Sequence, residues 1–227
     1  MNVFLPCRLG SERIPNKNVK KFADVKDGLL SIKMNQLLSC PEINNIFLSS
    51  NDNRVLEYAS SLKNEKIILD VRPDYLGRSA TSTDELIEYV ADKMPEGDIL
   101  WTHVTSPFID GNDYSNVIKE YYLKLEVGFD SLMTAKEIRG FVWSDNKPIS
   151  YSRDIEKWPR TQTITPMYEI DSGIFINSKS NYNKYNDRIG NNPYILPNHP
   201  LKSLDIDWPD DFDLAESIWE SRKTSKV

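Results

Sequence analysis

Asn2-Val3-Phe4-Leu5-Pro6-Cys7-Arg8-Leu9-Gly10-Ser11-Glu12-Arg13-Ile14-Pro15-Asn16-Lys17-Asn18 passes from an apolar run into a basic turn, and that passage bears on both the fold and the site. The run Asn2 to Cys7 is nearly continuous in apolar side chains rather than alternating, which is the pattern of a strand covered on both faces. After it, residues 8 to 21 hold Arg8, Arg13, Lys17, Lys20 and Lys21 against one acid, Glu12, a local charge of about +4 in a chain of formal net charge -6. Gly10 permits close backbone approach, Ser11 adds a hydroxyl, and N–H groups exposed after a strand form a nest that suits phosphate. A basic turn can equally be solvated surface, so the loop alone leaves an anion site and a plain surface loop both open.

Working outward, apolar runs recur at 44–49, 66–71 and 98–104, each followed by a polar turn and a helical period. Leu30, Met34, Leu37 and Leu38 share one helical face, and Val55, Ala59 and Leu62 share another. Ser82 with Glu85 three residues on predicts a capping box, with Leu86, Ile87, Val90 and Met94 at core spacing behind it. Tyr114, Ile118, Tyr121, Tyr122 and Leu125 mark a fourth helix. Alternation of strand and helix from residue 2 to about 136 predicts an α/β fold, a mostly parallel sheet flanked by helices. From 137 to 167 the rhythm breaks around Trp143, Pro148, Trp158, Pro159 and Pro166. This stretch reads as an insert within a single domain spanning 1–227. Exposed aromatics in a polar segment fit a hairpin that leaves the main sheet to pair with a second subunit, or a surface excursion that touches only its own domain. The sheet resumes at Ile170 to Ile176, and Leu204 to Asp207 forms a short extended piece. Pro209 opens a last helix with Asp210 and Asp211 at its positive end and Phe212, Ala215, Ile218 and Trp219 inward, and its tail frays from Arg222.

The composition narrows the class. With 39% hydrophobic and 27% charged residues and an acidic balance, the chain reads as a soluble globular protein with no general attraction to nucleic acid. No run is long enough to span a membrane and no secretory signal opens the chain, which places the protein in the cytoplasm. Cys7 and Cys40 have no metal-like or redox spacing and read as structural thiols.

The second site candidate is Asp205-Ile206-Asp207. Side chains at i and i+2 of an extended segment point to one face, with Cα atoms about 6.6 Å apart, so both carboxylates can reach one Mg²⁺ while Ile206 packs behind them. The competing reading is a solvated acidic end, since residues 205–220 hold seven acids and no base. Together with the basic loop, the pair supplies the two halves that hold a nucleoside triphosphate and support its cleavage. Thr105-Ser106-Pro107 ends a strand where ligands approach an open α/β sheet. Either hydroxyl can meet a ligand, with helix capping the ordinary role for Ser106. His103, one of two histidines, reads as a structural residue or a base.

These residues resemble the acylneuraminate cytidylyltransferase family, the CMP-sialic acid synthetases, whose loop runs A-R-x-G-S-x-x-I-x-x-K-N; Arg8, Gly10, Ser11, Ile14, Lys17 and Asn18 stand in the matching places. Further matches keep the order: Leu48-Ser49-Ser50-Asn51-Asp52, Arg72-Pro73, Thr105-Ser106-Pro107, Gln162 with Tyr168 and Gly173, and Asp205-Ile206-Asp207 with Asp213 and Ala215-Glu216 following. The resemblance implies a Rossmann-like nucleotidyltransferase domain of the nucleotide-diphospho-sugar transferase type, with a projecting dimerisation insert. It also implies Mg²⁺ dependence and transfer of CMP from CTP to a 2-keto sugar acid, with release of pyrophosphate, by a homodimer serving a surface glycan. By motif position, Arg8, Gly10, Ser11, Arg13, Lys17, Asn18 and Ser82 bind the nucleotide, Asp205 and Asp207 hold the metal, and His103, Thr105, Gln162 and Tyr168 face the acceptor. The sequence departs from the pattern at His103, where the family has glutamine, at Asp171-Ser172-Gly173-Ile174-Phe175 and at Cys7. Two of these lie on the acceptor side, so the departures bear on the sugar more than on the nucleotide. A different acceptor on the same fold, such as a sugar phosphate, a phosphonate or a Kdo-like acid, and a non-catalytic nucleotide-binding protein are the alternatives.

Overall fold

The opening run becomes β1 (Asn2–Pro6), and the three later runs become β2 (Asn45–Ser50), β3 (Ile67–Val71) and β4 (Asp98–Thr102). The structure, a computed structural model, describes residues 1–78 and 80–224, with side chains through Arg222. Between the strands lie α1 (Gly28–Leu38), α2 (Asn53–Ser61), α3 (Thr83–Lys93) and α4 (Gly111–Glu126). Three more strands, β5 (Ser131–Ile138), β8 (Met167–Ser178) and β9 (Pro193–Asn198), complete a seven-stranded sheet of order β3-β2-β1-β4-β8-β5-β9. β1 pairs in parallel with β2 and β4, β2 with β3, and β5 with β9, whereas β8 runs antiparallel to both β4 and β5. The sheet is mostly parallel, as the alternating pattern requires, with one reversed strand set into it.

The two-residue period of β1 sorts the core into two layers. Val3 and Leu5 pack with Leu30 and Met34 of α1, Val55 of α2, Ile118 of α4 and Phe212 of α6 (Pro209–Thr224). Phe4 turns to the opposite face, where it meets Trp101 edge-on at 4.9 Å and joins Ile87 and Val90 of α3 and Tyr182 of α5 (Lys179–Tyr185). Each such buried side chain contributes about 1.5–3 kcal/mol, so covering both faces accounts for the unbroken apolarity of β1, β2 and β4. β3 departs from that expectation. As the edge strand it leaves Ile68 and Leu69 each 38% and Val71 72% exposed.

Helix starts follow their side chains. Ser82 and Glu85 form the expected capping box on α3. The cap of α4 is Asp110, whose carboxylate accepts from the Asn112 and Asp113 amides, and not Ser106, which is buried four residues before it. Tyr114, Ile118 and Tyr121 are core as the spacing indicates, but Tyr122 and Leu125 are exposed. The hydroxyls of Tyr121 and Tyr122 both donate to Asp98 at the start of β4, a polar tie that holds Tyr122 at the surface. α6 buries Phe212 and Ala215 and stays helical through Thr224, past the fraying expected from Arg222; the last three residues lie outside the described ones.

β5 and β8 pair from Ser131–Asn177 out to Ile138–Met167, with a bulge between Met133 and Ala135. Between them the chain forms β6 (Trp143–Ser144) and β7 (Lys147–Pro148), a two-stranded sheet of its own. Phe141 stacks edge-on with Tyr151 and with Trp158, both at 5.2 Å, while Trp158 and Ile155 remain 66% and 89% exposed. Among the described residues no helix is long and apolar enough to cross a membrane.

Candidate functional site

The strand order supplies the site. β1, β2 and β3 run outward in one direction and β4 lies on the other side of β1, so the chain reverses its direction of travel between β1 and β4. The crevice beyond the carboxyl ends of two such strands is where open α/β sheets hold ligands. A cleft of about 430 Å³ opens there, lined by Pro6 at the end of β1 and Arg8 beyond it, and by His103, Val104 and Thr105 after β4. Ser11, Glu12, Arg13, Lys17 and Asn18 form one wall, and Ser172, Asp205 and Asp207 form another.

The basic loop is built by its backbone. Gly10 takes φ +78°, in the left-handed region that glycine enters without cost. The Leu9 amide donates to Asn51 Oδ1 at 2.9 Å, and Asn18 Nδ2 donates to the Arg8 carbonyl at 3.1 Å, closing the loop on itself. Asn16 sits at φ 58° and its Oδ1 accepts from Arg54 at 2.8 Å, which ties the turn to α2.

Asp205-Ile206-Asp207 is extended but forms no strand of the sheet. The Ile206 amide donates to the Thr105 carbonyl at 2.9 Å, and its side chain is fully buried. The i, i+2 parity therefore sends Asp205 and Asp207 into the cleft, and the basic loop meets them there. Lys17 Nζ donates to the Ile206 carbonyl at 2.6 Å and lies 3.5 Å from Asp207 Oδ1, and Arg13 reaches Asp207 Oδ2 at 3.4 Å while covering the Trp208 ring at 4.8 Å. Burial holds the Lys17 amine below its usual range, against the opposing pull of Asp207 and Asp205. Burial likewise raises the Asp205 carboxyl, with the charge of Asp207 adding to it and the Thr105 hydroxyl and Lys17 opposing. Asp205 Oδ1 is buried without a hydrogen-bond partner among protein groups. No three His, Cys, Asp or Glu side chains among the described residues form a metal cage. A divalent ion here would take two carboxylates and draw its other oxygens from water and ligand, the habit of Mg²⁺ at phosphates.

The remaining candidates divide. Thr105 lines the cleft and bonds Asp205. His103 also lines it, but both ring nitrogens are engaged: Nδ1–H donates to the Ser172 carbonyl at 2.8 Å, and Nε2 accepts from Trp101 Nε1–H at 2.9 Å. Burial holds it neutral, its pKa pushed down to about 4, so it has no ring nitrogen left to relay a proton in this arrangement. Ser82 lies outside the cleft lining, its hydroxyl occupied as the cap of α3. Gln162, in a 3₁₀ turn, and Tyr168, on the outer reach of β8 opposite Glu137, also lie outside it. Four lining residues were not among the predicted site residues: Pro6, Glu12, Val104 and Ser172. The signal for Ser172 was its place before Gly173, and it takes a positive φ of 56° at the cleft wall.

The chain matches the cytidylyltransferase family over residues 3–226. It is 24% identical over 213 residues to an N-acylneuraminate cytidylyltransferase of Streptococcus agalactiae serotype III, a match covering 92% of this chain and 50% of that protein. The chain thus spans about half the length of the streptococcal relatives. It is 24% identical over 230 residues to a pseudaminic acid cytidylyltransferase of Campylobacter jejuni, covering 95% of this chain and 94% of that one. Among solved structures, a CMP:2-keto-3-deoxy-manno-octonic acid synthetase complexed with CTP shares the fold at TM-score 0.63 and 14% identity, covering 97% and 98% of the two chains. A 4-diphosphocytidyl-2C-methyl-D-erythritol synthase of Anaerococcus prevotii shares it at TM-score 0.66 and 13% identity, covering 96% and 97%. With a match that runs almost from end to end, the chain belongs to the cytidylyltransferase family.

Proposed function

We propose that the protein transfers CMP from CTP to a sialic-acid-like 2-keto sugar acid and releases pyrophosphate. The observation that carries the reading is the meeting of Lys17 with Ile206 and Asp207, which brings the triphosphate-type loop and the carboxylate pair into one cleft at the strand ends. Relatives named for N-acylneuraminate and pseudaminic acid support the acceptor class. Arg8, Ser11, Arg13, Lys17 and Asn18 hold the triphosphate, and the acceptor's anomeric hydroxyl attacks the α-phosphorus in line. The bond from the α-phosphorus to the bridging oxygen breaks, pyrophosphate leaves with that electron pair, and the hydroxyl proton passes to solvent. Asp205 and Asp207 would hold Mg²⁺, a fit supported by the unpartnered Asp205 oxygen. When bound, the ion neutralises charge on the phosphates.

A second cleft of about 530 Å³ shares Ser172, Asp205 and Asp207 with the first and offers room for the acceptor beside the nucleotide. The exposed aromatics of the insert, Trp143 and Trp158, are the contact surface of a homodimer in this reading, and dependence on CTP puts the protein's work in the cytoplasm. Pyrophosphate release measured with CTP against UTP, across N-acetylneuraminic acid, pseudaminic acid, Kdo and a sugar phosphate, tests the reading. CTP-specific release with a 2-keto acid is expected. Release with the sugar phosphate alone, or with none of the four, overturns it.

A further inference from the structure

A lysine is buried outside the lining of the cleft. Lys33 of α1 has no exposed surface, and its Nζ donates to the Ser106 carbonyl at 2.9 Å and to Tyr114 Oη at 2.6 Å. Tyr114 Oη lies 2.8 Å from Thr102 Oγ1, and Thr102 donates its hydroxyl hydrogen to the Gly173 carbonyl at 2.7 Å. Each hydroxyl has one hydrogen, so the bonds order themselves in one direction, from Lys33 through Tyr114 and Thr102 to Gly173. Gln36, one turn along α1, adds a bond to the Pro107 carbonyl at 2.5 Å. The chain's two ends fall beside the two cleft walls: Ser106 follows Thr105, which bonds Asp205, and Gly173 follows Ser172, which accepts from His103.

We infer that Lys33 is a positioning residue that sets the separation of the Thr105–Pro107 turn from the Asp171–Gly173 stretch of β8, where the pairing with β5 is irregular, and so the width of the cleft floor on which acceptor and nucleotide meet. This inference rests on the cytidylyl-transfer reading for its consequence, but not for its geometry. Burying an amine costs stability, and the burial pushes Lys33 down to about 7. A methionine of similar length would fill the space without that cost, whereas only a donor can hold two oxygens from different elements at once. Gly173 itself is closely packed, since an added Cβ would lie 2.7 Å from Ile109 Cδ1, so this stretch of β8 has little freedom while the chain is intact.

Amide hydrogen exchange by mass spectrometry on the full chain, comparing wild type with Lys33→Met and Tyr114→Phe, tests it. Exchange about tenfold faster in both the 103–109 and 170–174 segments is expected in Lys33→Met, the size set by loss of one buried hydrogen bond. Tyr114→Phe, which keeps the Ser106 bond, should accelerate 170–174 alone, and this variant decides the matter if Lys33→Met does not fold. With N-acetylneuraminic acid as the probe, KM for the acceptor should rise about tenfold in either variant while KM for CTP stays within about twofold. Unchanged exchange at 170–174 in Tyr114→Phe overturns the inference. Failure of the transfer reading shows separately, as absent pyrophosphate release by wild type, and leaves the exchange result to decide the positioning role.

Discussion

In the proposed reaction Lys17 has two jobs, and only one concerns phosphate. Its side chain is 12% exposed and donates to the Ile206 carbonyl, so it ties the first loop to the last extended segment. Lys17→Met should therefore lower kcat/KM by about a thousandfold through lost charge at the phosphates, and also cost about 1 kcal/mol of stability through the unmet carbonyl. Urea unfolding beside pyrophosphate kinetics checks both, and a fully stable variant would remove the structural half. Asp205 should behave in the opposite sense. Its folded carboxyl is raised by burial, so at neutral pH its charge opposes folding, and Asp205→Asn should stabilise the metal-free protein by about 1 kcal/mol while abolishing Mg²⁺-dependent turnover. Melting in the presence of a chelator reads the first effect, and a lower melting temperature would contradict it. The meeting of both residues in one cleft was legible as a pair of opposite charge clusters, although each cluster alone fitted solvated surface equally well. The wiring of His103 was not, since its partners are the indole two residues back and a carbonyl 69 residues on.

At the scale of elements, local chemistry was readable wherever a helix announced its own start. Ser82 illustrates how one residue type serves two readings. Its hydroxyl accepts from the Glu85 amide while the Glu85 carboxylate returns a bond to the Ser82 amide. Ser82→Ala should cost about 1 kcal/mol as a lost cap and leave CTP affinity within about twofold. Calorimetric titration with CTP decides between cap and ligand, because a tenfold loss of affinity would return Ser82 to the nucleotide. β9 was missed because Pro193 and Pro197 fall within six residues, and proline removes ladder donors. The strand tolerates them because it pairs on one side only, with β5. α5 was missed for a different reason: seven residues carrying one fully buried side chain, Tyr182, give no helical period to detect. The reversal of β8 has the same root. Its core half is as apolar as a parallel strand, and nothing local distinguishes the direction of pairing.

The whole molecule places the site by topology and carries the consequence of Lys33 as a dependence on pH. Parallel order around β1 could be anticipated from the alternation, and with it a crevice at the strand ends, but the buried chain from Lys33 to Gly173 joins residues up to 81 positions apart and left no mark in the pattern. Lys33 titrates near 7 in the folded protein and near 10.5 when unfolded, so between those values the unfolded chain binds a proton that the folded chain has released. Stability must then rise with pH across that window, by at most about 1.4 kcal/mol per pH unit from this group. The groups facing it do not cancel the effect. Asp113 on α4 favours the charged amine but is paired with Lys202, and burial keeps Tyr114 protonated well above its usual range. Met1 and Lys17 are lowered as well and slope the same way, while the buried thiols of Cys7 and Cys40 from about pH 9, and the buried tyrosines above about pH 10, oppose the trend because they resist ionising only when folded. The informative quantity is the stability of wild type minus that of Lys33→Met, from urea unfolding at about pH 7, 8 and 9.5. The difference should climb steadily toward the alkaline end. A constant difference would mean that Lys33 keeps its proton in the folded core throughout, held by more than the bonds to Ser106 and Tyr114.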